Sequence, residues 1–276
     1  MRIEDLPAAA EPCMGESVYS WLDATRLQLG LEEAEWRQWC EFEAKEPERR
    51  IGGAEWGRLP PELGRIERVP ASWRIAAEWR SVGCAMCTAP AQSGTRYPVL
   101  VDWLDARAIA CSRHRLLLSY APCRDAMPLD ANEELVSLWK WLEEWRHGRV
   151  NGQDARLRRD LVLASARNWG PGSGGIASAE LAWSIQGAGW ALPKPHRTYQ
   201  PLGPARVGRL APNDRAAALL GAYRAWTALA AASAQNLPKW PLASWEWLAR
   251  RWRHGDRRLE AMLVGIVIAS RGGSRR

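Results

Sequence analysis

The sequence predicts a mainly α-helical protein of small helical modules, with a zinc-ribbon or zinc-finger-like module in its first half. Three observations support this fold class. Apolar residues recur at helical spacing in several segments, and turn-rich stretches of Gly and Pro separate these segments. Two pairs of metal-ligating residues stand in an irregular segment between residues 84 and 114. The 276 residues, 47% hydrophobic and 25% charged, have the composition of a globular protein of one to three domains.

Two long helices are predicted before the cysteine pairs, followed by shorter ones. Residues 17–29 place apolar side chains at helical spacing, and Gly30 is a typical helix stop. Residues 31–45 form a second predicted helix, with Trp36 and Trp39 on its apolar side. The segment 84–123 has turn residues and few helical repeats, so it is predicted to be an irregular module.

The second half of the chain is predicted to be helical with one long interruption. Residues 131–147 form an amphipathic helix that ends at Gly148. The segment 190–212 is rich in Pro and Arg and is expected to be extended. Further helices are predicted over residues 177–186, 213–234, 243–253 and 256–270.

The order of these elements predicts three domains with different charge. A helix-turn-helix-like N-terminal module covers residues 1–80, the zinc-binding module covers 81–125, and a helical domain covers 126–276. Residues 1–145 carry 17 basic and 24 acidic side chains, whereas residues 146–276 carry 21 basic and 7 acidic ones. The net charge of +7 therefore combines an acidic half with a basic half. A basic half indicates contact with a polyanion such as nucleic acid, or else a solvated surface.

Two ligand pairs predict a metal site. Cys84 and Cys87 are separated by two residues, and Cys111 and His114 repeat that gap after 23 intervening residues. A two-residue gap lets both ligands of a tight turn face one ion. Three thiolates and one imidazole favour Zn²⁺, and four protein ligands leave no position for a reacting water, so the site is predicted to be structural. The alternative is a chance spacing of buried cysteines and an unrelated histidine.

Arginines crowd the second half and are candidates for contact with nucleic acid. Guanidinium groups bind phosphates bidentately and stack on bases. Trp245, Leu248 and Trp252 fall at helical spacing and are predicted to be core, with the arginines on the solvent face. The candidate contacts are Arg156, Arg158, Arg159, Arg250, Arg251, Arg253, Arg257 and Arg258.

Two runs of this sequence resemble the TniQ family. The first is Pro12-Cys13-Met14-Gly15-Glu16-Ser17-Val18-Tyr19-Ser20-Trp21-Leu22, which is similar to the opening of these proteins. The second joins the Cys84 pair to the string Cys111-Ser112-Arg113-His114-Arg115-Leu116 and is similar to the family's zinc segment. Ser112 stands where the family usually has proline, and Arg115 where it usually has glycine. Only Cys123 stands where many members have a second Cys pair, which argues against a second zinc.

The resemblance implies a function in transposition. TniQ proteins select the target site, either by reading DNA directly, as TnsD-like proteins do, or as adaptors on RNA-guided CRISPR effector complexes with their guide RNA. They hand the site to an AAA+ ATPase of the TnsC type. Since members can be dimeric, a homodimer is a further partner that the resemblance allows. The alternative is a stand-alone zinc-stabilised DNA-binding protein that reads its site or regulates transcription.

The sequence does not suggest an enzyme. His147, His196 and His254 have no evident nucleophile beside them, and a zinc deaminase would need His-x-Glu with Pro-Cys-x-x-Cys. The N-terminus does not resemble a signal peptide. The longest apolar stretch, near residues 261–269, is far shorter than the ~20 residues that span a bilayer. The expected location is the bacterial cytoplasm, at the nucleoid, without a membrane partner.

Overall fold

The computed structural model confirms a mainly helical fold. It describes residues 10–32, 60–64, 68–75, 82–88, 98–120, 128–166, 207–210, 212–231, 237–238, 240–252 and 256–273. These residues belong to two compact units. Unit 1 lies within Met1–Asp105 and Cys111–Ala126, and unit 2 lies within Ala106–Ala110 and Met127–Arg276. The division into domains 1–80, 81–125 and 126–276 stays a prediction.

Unit 1 contains little regular structure among its described residues. Helix α1 covers Val18–Gln28, and the short helix α2 covers Ala85–Thr88. Strands β1 (Val82–Gly83) and β2 (Ser119–Tyr120) pair antiparallel. Two 3₁₀ turns, Ala71–Trp73 and Val101–Leu104, complete the described elements. Such a unit has to be held together largely by its side chains and by contacts between irregular segments.

Helix α1 is fixed at both ends and on its buried face. The Ser17 hydroxyl caps the helix by accepting a hydrogen bond from the Ser20 amide at 3.2 Å. Gly30 follows the last turn with a φ of +66°, which glycine adopts without strain. On the inner face, Trp21 is 1% exposed and its indole N–H donates to the Ala10 carbonyl at 2.6 Å. The predicted helix over 17–29 is confirmed.

Residues 15–17 lie between two other segments and hydrogen-bond to both. The Gly15 amide donates to the Glu62 carbonyl at 2.7 Å, and the Ser17 amide donates to the Val99 carbonyl at 2.8 Å. Gly64 donates to the Glu16 carbonyl at 2.7 Å. A Cβ on Gly64 would stand only 2.8 Å from the Gly15 carbonyl oxygen and 2.7 Å from a valine side-chain carbon. This three-segment junction therefore requires glycine at position 64.

Unit 2 is built from five described helices and a leucine-rich core. The helices are α3 (Glu133–Arg146), α4 (Gly152–Ala166), α5 (Pro212–Ala230), α6 (Leu242–Arg251) and α7 (Arg257–Gly273). Helix α4 packs on α5 and α6, α3 packs on α5, and α7 packs on α6. The fully buried leucines are Leu129, Leu138, Leu142, Leu161, Leu210, Leu219, Leu248 and Leu263.

The helices predicted over 131–147, 213–234, 243–253 and 256–270 are confirmed, with ends that shift by a few residues. Helix α4 was not predicted, because charged residues occupy part of its inner face. Arg158 is 3% exposed and Asp160 is 0% exposed, so the apolar pattern is interrupted where the helix meets the core. The predicted helix over 177–186 and most of that over 31–45 lie outside the described residues. Among the described residues, no helix is long and apolar enough to span a membrane.

Candidate metal centre

The four predicted ligands lie together in unit 1. Cys84 follows β1 directly, and Cys87 lies on α2. Cys111 and His114 lie in one tight turn, which is closed by a 2.8 Å hydrogen bond from the Cys111 amide to the Leu116 carbonyl. The pairing of β1 with β2 ties the two ends of the ligand segment to each other. One candidate ligand atom from each residue lies within 4.8 Å of the other three.

The distances within this cluster fit a tetrahedral ion. The sulfurs of Cys87 and Cys111 are 3.7 Å apart, and His114 Nδ1 lies 3.6, 3.2 and 3.8 Å from the sulfurs of Cys84, Cys87 and Cys111. Ordinary zinc bond lengths give tetrahedral edges of about 3.8 Å between sulfurs and about 3.5 Å between sulfur and nitrogen. The cluster can therefore hold one metal ion, and its donor set suits zinc.

The electrostatics of the thiols also favour a bound cation. Burial raises the pKa of the Cys84 thiol. Burial also raises the pKa of the Cys87 thiol, and the charges of Cys111 and Cys84 raise it in the same direction. Three thiolates cannot share this space at neutral pH unless a positive charge offsets their repulsion. A divalent cation supplies that charge and displaces the thiol protons.

The remaining cysteines are not part of the described cluster. The apolar neighbours of Cys13 in the sequence predict a core thiol, but Cys13 is exposed. That prediction is wrong because residues 13–14 face solvent, with the adjoining Met14 77% exposed. Cys40 and Cys123 lie outside the described residues.

The candidate nucleic-acid contacts in unit 2 occupy different environments. Arg158 is buried: its guanidinium contacts the carboxylates of Asp154 and Glu144 and lies 5.1 Å from the ring centroid of Trp141 and 5.3 Å from that of Trp226. A guanidinium in this position stabilises the core and is not accessible to a phosphate.

Asp160 engages two of the other candidates. Its Oδ1 accepts hydrogen bonds from Arg251 at 2.7 Å and from Arg159 at 3.3 Å. The carboxylate is fully buried, and its Oδ2 has no hydrogen-bond partner in the described structure. Arg251 and Arg159 therefore neutralise a buried charge, although part of each side chain reaches solvent. Sequence reasoning missed Asp160, and the available signal was an acid set directly before the apolar run Leu161-Val162-Leu163.

The other candidates are exposed. Arg156 lies 5.8 Å from the ring centroid of Trp252, Arg250 lies on the outer face of α6, and Arg257 and Arg258 begin α7. Arg253 lies outside the described residues. The tryptophans predicted to be core, Trp245 and Trp252, are 3% and 4% exposed, so this prediction is confirmed. The surface available to a phosphate backbone in unit 2 is thus smaller than the arginine count indicates.

Comparison with known proteins adds no assignment. A scan against protein-family models, a search of curated proteins and a search of solved structures each find no match to this chain. The resemblance to the TniQ family accordingly rests on the two runs around residues 12–22 and 84–118. The metal cluster rests on its own geometry and does not depend on that resemblance.

Proposed function

We propose that this chain is a target-selection adaptor for transposition, of the TniQ type, whose first half is stabilised by one structural zinc ion. It would link a complex that recognises target DNA, including an RNA-guided CRISPR effector, to an AAA+ ATPase of the TnsC type. The observation that carries the proposal is a set of hydrogen bonds that joins the opening run to residues 99–101, which lie between the two ligand pairs of the second run. A chance match of two unrelated motifs gives no reason for them to meet in one unit.

The link between the two runs passes through the Glu16 side chain. Its carboxylate is buried and accepts hydrogen bonds from the Cys13 amide at 2.9 Å and the Ser20 hydroxyl at 2.8 Å. The Ser20 oxygen in turn accepts a hydrogen bond from the Val99 amide at 3.0 Å. A buried carboxylate is tolerated only when such donors satisfy it. Glu16, the acidic residue of the opening run, therefore helps to hold in place the segment that precedes the second ligand pair.

Leu100 and Val101 extend this link along the backbone. Glu16 pairs antiparallel with Leu100, and the Val101 amide donates to the Gly15 carbonyl at 3.0 Å. Val101 begins the 3₁₀ turn Val101–Leu104, which contacts β1, the strand directly before Cys84. The opening run and the metal cluster are therefore linked within one unit, first by hydrogen bonds and then by packing contacts, which supports assigning them to one family motif.

Zinc would be held by Cys84, Cys87, Cys111 and His114, and its contribution there is to stabilise the fold. His114 presents Nδ1 to the three sulfurs, which leaves Nε2 to carry the ring proton. Four protein ligands complete a tetrahedron, so no catalytic function is proposed for this centre.

The exposed arginines of unit 2 support contact with nucleic acid, and they also favour the second candidate, a stand-alone DNA-binding protein. Arg156, Arg250, Arg257 and Arg258 are exposed and lie in the half of the chain that carries 21 basic and 7 acidic residues. Arginines of this kind bind phosphates without regard to sequence. Either function would be exercised in the bacterial cytoplasm, at the nucleoid.

Binding to the ATPase distinguishes the two candidates. The zinc-loaded chain would be immobilised and mixed with the AAA+ ATPase encoded nearest to its gene, with ATP and duplex DNA present. The adaptor predicts retention of the ATPase that depends on the chain and survives nuclease treatment. If the ATPase is not retained while the chain alone binds one duplex sequence tightly at physiological salt, the adaptor is refuted and the stand-alone reader is favoured.

A further inference from the structure

The stretch around the second ligand pair is basic within an otherwise acidic half. Residues 106–124 contain four arginines and no aspartate or glutamate, although residues 1–145 as a whole carry 24 acidic and 17 basic side chains. One of the four, Arg107, is 6% exposed and lies 5.1 Å from the ring centroid of Trp145, so it is used within a protein core. Arg124 lies outside the described residues. Arg113 and Arg115 are exposed, one on each side of the ligand His114.

Arg115 holds an unusual backbone conformation. Its φ is +52°, and it is the one non-glycine residue with positive φ in the described part of the chain. Two hydrogen bonds of the Cys111–His114 turn impose this angle. The Arg115 amide donates to the Cys111 carbonyl at 2.8 Å, and the Cys111 amide donates to the Leu116 carbonyl. Glycine adopts this angle freely, whereas a residue with a Cβ pays a steric cost. An arginine in a glycine position is therefore a reason to look for a use of its side chain.

We propose that Arg113 and Arg115, on the turn that carries the ligands Cys111 and His114, form a phosphate-binding pair that binds the backbone phosphates of a nucleic acid. The two side chains leave a turn that is fixed by metal ligands and by two backbone hydrogen bonds, and their Cα atoms are at most about 7 Å apart. Guanidinium groups bind phosphates bidentately. In a half with excess acidic charge, this pair is a local point at which a polyanion is attracted. The inference deepens the proposed function, on which it rests, by adding a nucleic-acid contact in unit 1.

A competing explanation is that the arginines serve the metal centre. Three thiolates and one Zn²⁺ leave a net negative charge, and neighbouring cations would offset it. That explanation predicts weaker zinc retention when the arginines are removed. The phosphate-binding pair predicts unchanged zinc retention and weaker nucleic-acid binding. The two explanations therefore differ in a measurement that does not involve transposition activity.

The test is a double variant of the full chain, Arg113→Ala with Arg115→Gly. Arg115→Gly removes the side chain and relieves the positive φ, so the variant is expected to keep one zinc and to melt at the same or a higher temperature. Binding to a labelled duplex DNA and to a single-stranded RNA of equal length would be measured over a salt titration. If each arginine neutralises one phosphate, duplex binding falls by about 30-fold at 0.15 M salt, and the slope of log K against log salt falls by about 2.

Arg68→Ala is the matched control, because Arg68 is an exposed arginine of unit 1 outside the acid-free stretch. It is expected to change nucleic-acid binding by much less than the double variant at Arg113 and Arg115. A loss confined to the DNA or to the RNA identifies which backbone the pair takes. Unchanged nucleic-acid binding by the double variant overturns the phosphate-binding pair, whether or not zinc retention falls, and leaves the proposed adaptor function unaffected. A wild-type chain that binds neither nucleic acid also overturns the pair. In that case the ATPase retention experiment tests the adaptor function separately.

Discussion

Removing the metal is expected to unfold unit 1 and to leave unit 2 helical. All four candidate ligands belong to unit 1, and structural zinc contributes about 10–16 kcal/mol in small domains. Whole domains are stable by about 5–15 kcal/mol, so unit 1 would not survive the loss. Unit 2 has its own leucine core and holds no described ligand.

The size of the spectroscopic change follows from the helix lengths. Unit 1 contributes α-helices of 11 and 4 residues, whereas unit 2 contributes helices of 14, 15, 19, 10 and 17 residues. Loss of the unit 1 helices removes roughly one sixth of the described helical residues. Far-ultraviolet circular dichroism should therefore fall modestly on treatment with a strong zinc chelator. Amide hydrogen exchange should report full loss of protection in α1 and at Val99.

Cys87→Ser tests the same reasoning without a chelator, and Cys13→Ser is its control, since Cys13 is an exposed thiol outside the cluster. The Cys87 variant should lack zinc and lose protection in α1, and the Cys13 variant should keep both. Full protection of α1 in the chelated protein would refute a metal-dependent unit 1. A loss of half of the helical signal would refute the independence of unit 2.

Three further predictions follow from the same contacts. Because burial raises the pKa of the Cys84 and Cys87 thiols, both are protonated without metal. Metal affinity should therefore fall by at least about 100-fold per pH unit below neutrality, tenfold for each of these two displaced protons. Competition with a chromophoric chelator measures this, and a flat profile contradicts it. Arg251→Ala should lower the free energy of unfolding in urea by about 2–3 kcal/mol, because it leaves the buried Asp160 with one weaker partner. Its control, Arg250→Ala on the outer face, should lower it by less than about 0.5 kcal/mol. Equal losses in the two variants would contradict the pairing of Arg251 with Asp160. Gly64→Ala should lower the free energy of unfolding by about 2 kcal/mol, because the new Cβ clashes at the three-segment junction. Gly152→Ala, which has open space around it, should leave the free energy of unfolding unchanged.

The metal cluster could be predicted from the sequence because its information is local. A gap of two residues specifies a tight turn that points both ligands the same way, whatever the 23-residue segment between the pairs does. The same locality explains the success with α1 and α3, each of which has an apolar stripe, a polar cap and a glycine stop. Asn132 caps α3 by accepting from the amides of Glu134 and Leu135.

Features that depend on distant partners could not be predicted. Helix α4 was missed because Arg158 and Asp160 face inward, and their inward position makes sense only once their partners on α3 and α6 are known. The junction at residues 15–17 has no periodic pattern, since its hydrogen bonds are isolated bridges between irregular segments. The strained Arg115 likewise looks like an ordinary basic residue until its φ is known.

The hydrogen bond from Val99 to Ser20 limits how early unit 1 can finish folding during synthesis. It spans 79 residues, so α1 emerges from the ribosome long before the segment that completes its surroundings. At about 5–20 residues per second, that delay is about 4–16 s. Until then the Ser20 hydroxyl lacks its hydrogen bond from Val99, and Glu16 lacks its pairing with Leu100, so this junction stays incomplete in the nascent chain. Slower translation before residue 99 would lengthen this delay, and zinc supply would matter only after residue 114 has emerged.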